Sequence, residues 1–86
     1  MSEPADSGVE HRSLPEIIAG RLREQIIDGV LPQGTRLVEQ TLAEQLSVSR
    51  IPLREALVQL ENERLVTRLP RRGAIVNRLT VATRGH

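Results

Sequence analysis

The sequence contains no cysteine, phenylalanine, tryptophan or tyrosine, and each absence removes a class of function. Without cysteine there is neither a disulfide framework nor a thiolate zinc site. Without aromatic rings the core must be aliphatic, and bases have no platform on which to stack, which argues against a sequence-tolerant single-strand binder. No apolar run approaches the roughly 18 residues of a membrane span, and no basic segment followed by an apolar one opens the chain; a soluble, cytoplasmic protein is expected. At 86 residues the chain makes one small domain that buries about 60–65% of its unfolded surface, too little to enclose a large active site. Catalysis lacks its parts. The histidines, His11 and His86, lie in the two ends of the chain, Ser47 and Ser49 have no histidine near them in sequence, and the phosphate-loop pattern is missing. No enzyme activity, cofactor or metal is expected.

Lysine is missing too: all 12 cations are arginine, the side chain whose planar fork suits phosphates and guanine edges. Net charge is only +1, but it is unevenly spread along the chain. Up to Ser49 four arginines face eight acids, and from Arg50 onward eight arginines face three glutamates. A preference for arginine codons would account for the missing lysines but not for this polarity.

Residues 1–12 are small and polar without a period, and read as a flexible arm. Ser13 with Glu16 three places on is a capping box, with Pro15 tolerated in the first turn. Leu14, Ile17, Ile18, Leu22 and Ile26 then keep helical spacing as far as Gly29, a left-handed stop. "LPQGTRL", residues 31–37, reads as a turn feeding a short extended piece. A second helix spans Glu39 to Leu46, with Leu42, Ala43 and Leu46 facing inward. A third starts after Ser49, a good N-cap, with Leu53, Ala56, Leu57 and Leu60 forming its apolar stripe.

The short link "SVS", with Val48 filling the angle, makes the last two helices a helix-turn-helix. "LVTRL" and "AIVN" flank "PRRG" as a β-hairpin in which Gly73 supplies the unusual backbone angle. The fold expected is α+β, mostly α: a three-helix winged helix-turn-helix with a C-terminal hairpin as the wing. The domain occupies residues 13–78, and 79–86 form a tail.

In such a pair the N-terminus of the second helix enters the major groove of DNA. Arg50 and Arg54, one turn apart, stand there, and the helix N-terminus itself favours phosphate. The plainer alternative is that Arg54 pairs with Glu55 or Glu61 on a solvated face. A rival use of the scaffold, as a protein-interaction module, predicts an apolar exposed face on the third helix. That face instead carries Arg50, Arg54, Glu55, Gln59, Glu61 and Asn62, with Ile51 and Val58 the apolar exceptions.

The run "GVLPQGTRLVEQTLAEQLSVSRIPLREALVQLENERLVTRLPRRGAIV", residues 29–76, resembles the DNA-binding domain of GntR-type bacterial transcription regulators. "LVEQTLAEQL" with "SRIPLREAL" is most similar to the FadR branch. The resemblance implies that Ser49, Arg50 and Arg54 meet a double-stranded operator, with Ile51 and Pro52 at the same end of the helix and Gln40 at the start of helix two. It also implies that Arg71, Arg72 and Gly73 form a wing tip reaching the adjacent minor groove. Ser47 and Arg64 stand where relatives often have glycine, which puts a Cβ on a position that wants a left-handed angle. Relatives continue into a helical domain that binds an effector and dimerises, and bind inverted half-sites as dimers. No such domain is expected in the tail "RLTVATRGH".

Overall fold

The structure, a computed structural model, describes residues 12–71 and 73–78. The arm up to His11, Arg72 at the wing tip and the tail from Leu79 lie outside them. The elements in chain order are α1 (Leu14–Ile27), β1 (Arg36–Val38), α2 (Glu39–Leu46), α3 (Arg50–Asn62), β2 (Val66–Leu69) and β3 (Gly73–Val76). The fold is therefore the expected winged helix, with one addition. The extended piece after the Pro32 turn is a third strand, so the hairpin becomes a sheet ordered β1-β3-β2, antiparallel throughout.

α1 begins as its sequence requires. The Ser13 hydroxyl accepts from the Glu16 N–H at 3.3 Å, and the Glu16 carboxylate accepts from the Ser13 N–H at 3.1 Å, which satisfies two of the helix's unpaired donors. Its buried side is Ile18, Ala19, Leu22 and Ile26, and α1 packs mainly on α3. Leu14 and Ile17 were expected in this stripe but are 46% and 49% exposed. They line a groove with Leu46 and Val48 of the helix-turn-helix, and Ala19 takes the inward position next to Ile18. Arg23 of α1 grips Glu63, the residue capping α3, through two bonds of 2.8 and 2.7 Å. These bonds raise the Arg23 pKa above its ordinary value, against a smaller opposing effect of burial.

α2 and α3 both end in a Schellman turn. The Val48 N–H donates to the Ala43 carbonyl and the Ser47 N–H to Glu44; after α3, Leu65 donates to Leu60 and Arg64 to Glu61. Ser47 and Arg64 hold left-handed angles, φ 58° and 66°, so the two positions where relatives often have glycine do require that conformation. The residue after each, Val48 and Leu65, turns back onto the core. Val48 thereby fills the angle between α2 and α3.

The core is aliphatic throughout, centred on Leu22, Leu53, Leu57, Leu60 and Val66, with Leu37, Ala74 and Val76 contributed by the sheet. β1 reaches it because the Thr35 N–H closes a turn on the Pro32 carbonyl at 3.0 Å, with Gly34 at φ 85° as the third residue of that turn. Leu37 then lies opposite Ala74 and Val38 opposite Gly73. Gly73 is buried at φ 119°, and a Cβ there would sit 1.8 Å from the Leu37 carbonyl oxygen. The wing can lie against β1 only because this residue has no side chain. β2 is an edge strand, and Glu61 of α3 accepts one of its N–H groups, from Arg68 at 3.2 Å.

Candidate nucleic-acid interface

Pairing of β1 with β3 brings the wing beside the starts of α2 and α3. Arg36 and Val38 from β1, Glu39 and Gln40 from α2, Arg50 from α3 and Arg71 from the wing line a cleft of about 330 Å³. Three of these six residues are arginines, drawn from three separate stretches of chain. A concave, water-facing surface with that density of guanidinium groups focuses positive potential and attracts phosphate.

Ser49, Arg50, Ile51 and Arg54 are all exposed at the start of α3, and Gln40 at the start of α2. Pro52 is half-buried at a first-turn position whose N–H would be unpaired in any helix. Ser49 occupies the N-cap with extended backbone angles, but its hydroxyl makes no capping bond. Ser49 is thus the N-cap by position, as expected, without a side-chain bond to the first turn. The hydroxyl and the first-turn amides of α3 retain their capacity for an outside acceptor or donor.

Arg54 pairs with neither Glu55 nor Glu61. Its Nε donates to Glu39 Oε1 at 3.0 Å. Glu39 is 7% exposed and is the buried charged residue among those described. Arg54 keeps about half of its side chain in solvent. Arg71 is exposed in the wing turn at φ 62°, a left-handed angle the sequence did not signal. Gly73 is buried against β1, so its contribution to the surface is the seating of the wing. The candidate residue Arg72 lies outside the described residues.

Three residues of the cleft escaped the sequence reading, the exposed Val38 and two charged ones. Arg36 sits in the acidic half of the chain, in a strand of only three residues, and no local pattern announces that it will face the wing. Glu39 falls in the first turn of a helix, where a carboxylate is ordinary. Its burial depends on a partner 15 positions away.

A helix-turn-helix with a half-exposed, arginine-bearing second helix and a basic wing defines a class, the winged-helix DNA-binding modules. The chain belongs to the family described as bacterial regulatory proteins, gntR family, which its residues 14–76 match. It is 48% identical over 63 residues to the gluconate operon transcriptional repressor of Bacillus subtilis (strain 168), covering 73% of this chain and 26% of that protein. It is 36% identical over 61 residues to the HTH-type transcriptional repressor RspR of Escherichia coli (strain K12), covering 71% of this chain and 27% of RspR. Among solved structures, a GntR-family regulator from Pseudomonas syringae pv. tomato str. DC3000 aligns with a TM-score of 0.69 at 42% identity, over 91% of this chain and 30% of that one. E. coli McbR/YncC aligns with a TM-score of 0.73 at 32% identity, over 83% of this chain and 34% of that one.

The chain thus spans about a quarter of the length of the curated relatives it matches, 26% and 27%. It corresponds to the DNA-binding domain of these regulators. Among the described residues no helix is long and apolar enough to cross a membrane, and no group of three or more His, Asp or Glu is placed to hold a metal ion.

Proposed function

We propose that the chain reads a specific double-stranded operator in the cytoplasm, with the start of α3 in the major groove and the wing against the adjacent backbone and minor groove. The observation that carries this reading is the cleft shared by Arg36, Arg50 and Arg71. It joins the recognition helix, the wing and β1 into one basic surface. Ser49, Arg50, Ile51, Pro52 and Arg54 form the reading end, with Gln40 beside them, while Arg36, Arg71 and Arg72 supply attraction to the backbone. Residues 13–78 are the folded unit. In a longer protein two copies would sit on inverted half-sites, since operator symmetry mirrors protein symmetry. The pairing of "LVEQTLAEQL" with "SRIPLREAL" favours the FadR branch of the family.

Selection of bound sequences from random duplexes, followed by competition binding with variants, tests the assignment. Arg71→Ala should weaken binding to every duplex by a similar factor and make the salt slope shallower by about 1. Arg54→Ala should cost roughly 1–3 kcal/mol on the selected duplex and relax preference at one or two base positions. Unchanged affinity and preference in both folded variants would refute the proposed interface.

A further inference from the structure

Glu39 is out of place in a surface built to attract phosphate. It lines the same cleft as Arg36, Arg50 and Arg71, where a carboxylate repels the DNA backbone. The start of α2 does not depend on it for a cap, because the N-cap is Val38, which has no side-chain acceptor to offer. A first-turn carboxylate can also serve the helix dipole from a solvated position, yet this one is 7% exposed. Its particular contact is the bond from Arg54 Nε at 3.0 Å.

That bond has a geometric consequence. An arginine can present a two-pronged donor to a guanine edge either through Nε with one Nη or through its two Nη groups. With Nε committed to Glu39, only the Nη1–Nη2 end is left to offer, and among the described residues no other side chain occupies it. The contact also fixes in advance several torsions of a long side chain, whose ordering would otherwise oppose binding.

We propose that Glu39 is a specificity-determining positioning residue: it orients Arg54 so that the Nη1–Nη2 end meets a base edge, and withholds Arg54 from general attraction to phosphate. The inference rests on the DNA-binding reading above. It keeps the sequence-independent attraction with Arg36 and Arg71, and within the reading end of α3 it gives the discrimination largely to the Glu39–Arg54 pair.

The test measures the ratio of affinities for the selected duplex and an unrelated one, using the full chain with circular dichroism as the fold control. Glu39→Gln keeps an oxygen that can accept from Nε and should keep the ratio. Glu39→Asp keeps the charge and the helix-dipole contribution but retracts the carboxylate by about 1.5 Å, one carbon–carbon bond. It should lose discrimination at the base positions relaxed by Arg54→Ala. Glu39→Ala should lower the ratio between about 5- and 150-fold, the range of one two-pronged base contact. Affinity for the unrelated duplex should then hold or rise, because a negative charge has left the cleft. The double variant Glu39→Ala with Arg54→Ala should lose little beyond Arg54→Ala alone.

A merely structural role lowers affinity for both duplexes together, and that result would overturn the proposal. So would an unchanged ratio in Glu39→Asp, which remains decisive if Glu39→Ala does not fold. A wild-type chain without any preference among duplexes removes the DNA-binding reading itself. Preference in the wild type that persists in folded Glu39→Asp and Glu39→Ala removes only this inference.

Discussion

Replacing Gly73 with alanine should damage this domain far more than replacing any other described glycine, and the structure sets the scale. The residue holds φ 119°, and an added Cβ would stand 1.8 Å from the Leu37 carbonyl oxygen, 3.0 Å from the Leu37 carbonyl carbon and 3.1 Å from the Glu39 N–H nitrogen. The angle alone costs an L-residue about 1–3 kcal/mol. All three atoms are backbone of the Leu37–Glu39 segment, so no side chain can swing away. Separating β3 from β1 to admit the methyl costs a further 1–3 kcal/mol or so, as overpacked cores do. A domain of this size is stable by about 5–10 kcal/mol, so a combined loss of about 2–6 kcal/mol removes at least about a fifth of the variant's stability, and its Tm should fall by at least about 8 °C.

Two internal controls separate strain from collision. Gly34 has φ 85° with nothing within 4 Å of a built Cβ, so Gly34→Ala should cost only the angle, about 1 kcal/mol. Gly20 lies inside α1, where an added Cβ meets only two arginine side-chain ends at 3.8 and 3.9 Å; Gly20→Ala should stabilise by about 0.5–1 kcal/mol. Thermal and urea unfolding followed by circular dichroism give the order. A Gly73→Ala variant as stable as Gly34→Ala would refute the argument that close backbone approach seats the wing.

Ser47→Gly and Arg64→Gly should each stabilise by about 0.5–1 kcal/mol, because both residues close Schellman turns at left-handed angles; a loss in urea unfolding would contradict this. Arg23→Ala should cost about 0.5–1 kcal/mol, since its two-bond contact with Glu63 is about one-third exposed, 32% and 36%. The difference from wild type should shrink at 1 M salt, where the Debye length is about 3 Å.

Most of the fold can be read from local sequence because its elements announce themselves locally. The Ser13–Glu16 box, the Leu42–Ala43–Leu46 face of α2 and the Leu53–Ala56–Leu57–Leu60 stripe of α3 are patterns within one or two helical turns. The structure places α2 at the boundaries those patterns suggest. Even the two missing glycines were informative: Ser47 and Arg64 do hold the left-handed angles their positions call for.

What escaped was non-local. β1 is a strand because β3 pairs with it, not because three residues have a strand pattern of their own. Arg36 joins the cleft through that pairing. The partner of Arg54 is Glu39 rather than a neighbour on its own helix, since the turn between α2 and α3 brings the starts of the two helices together. Counting charge along the chain placed the basic surface after Ser49; the fold adds a cation and an anion from before it.

The most direct test of the central claim is the affinity of the 86-residue chain for a selected and an unrelated duplex, measured across a range of salt concentrations. If about 4–6 phosphates are neutralised per domain, log K should fall against log salt with a slope of about −4 to −5 for both duplexes, and the selected one should remain the tighter throughout. A response flat in salt, or two duplexes bound equally at every concentration, would contradict the account of an arginine-lined surface that reads DNA.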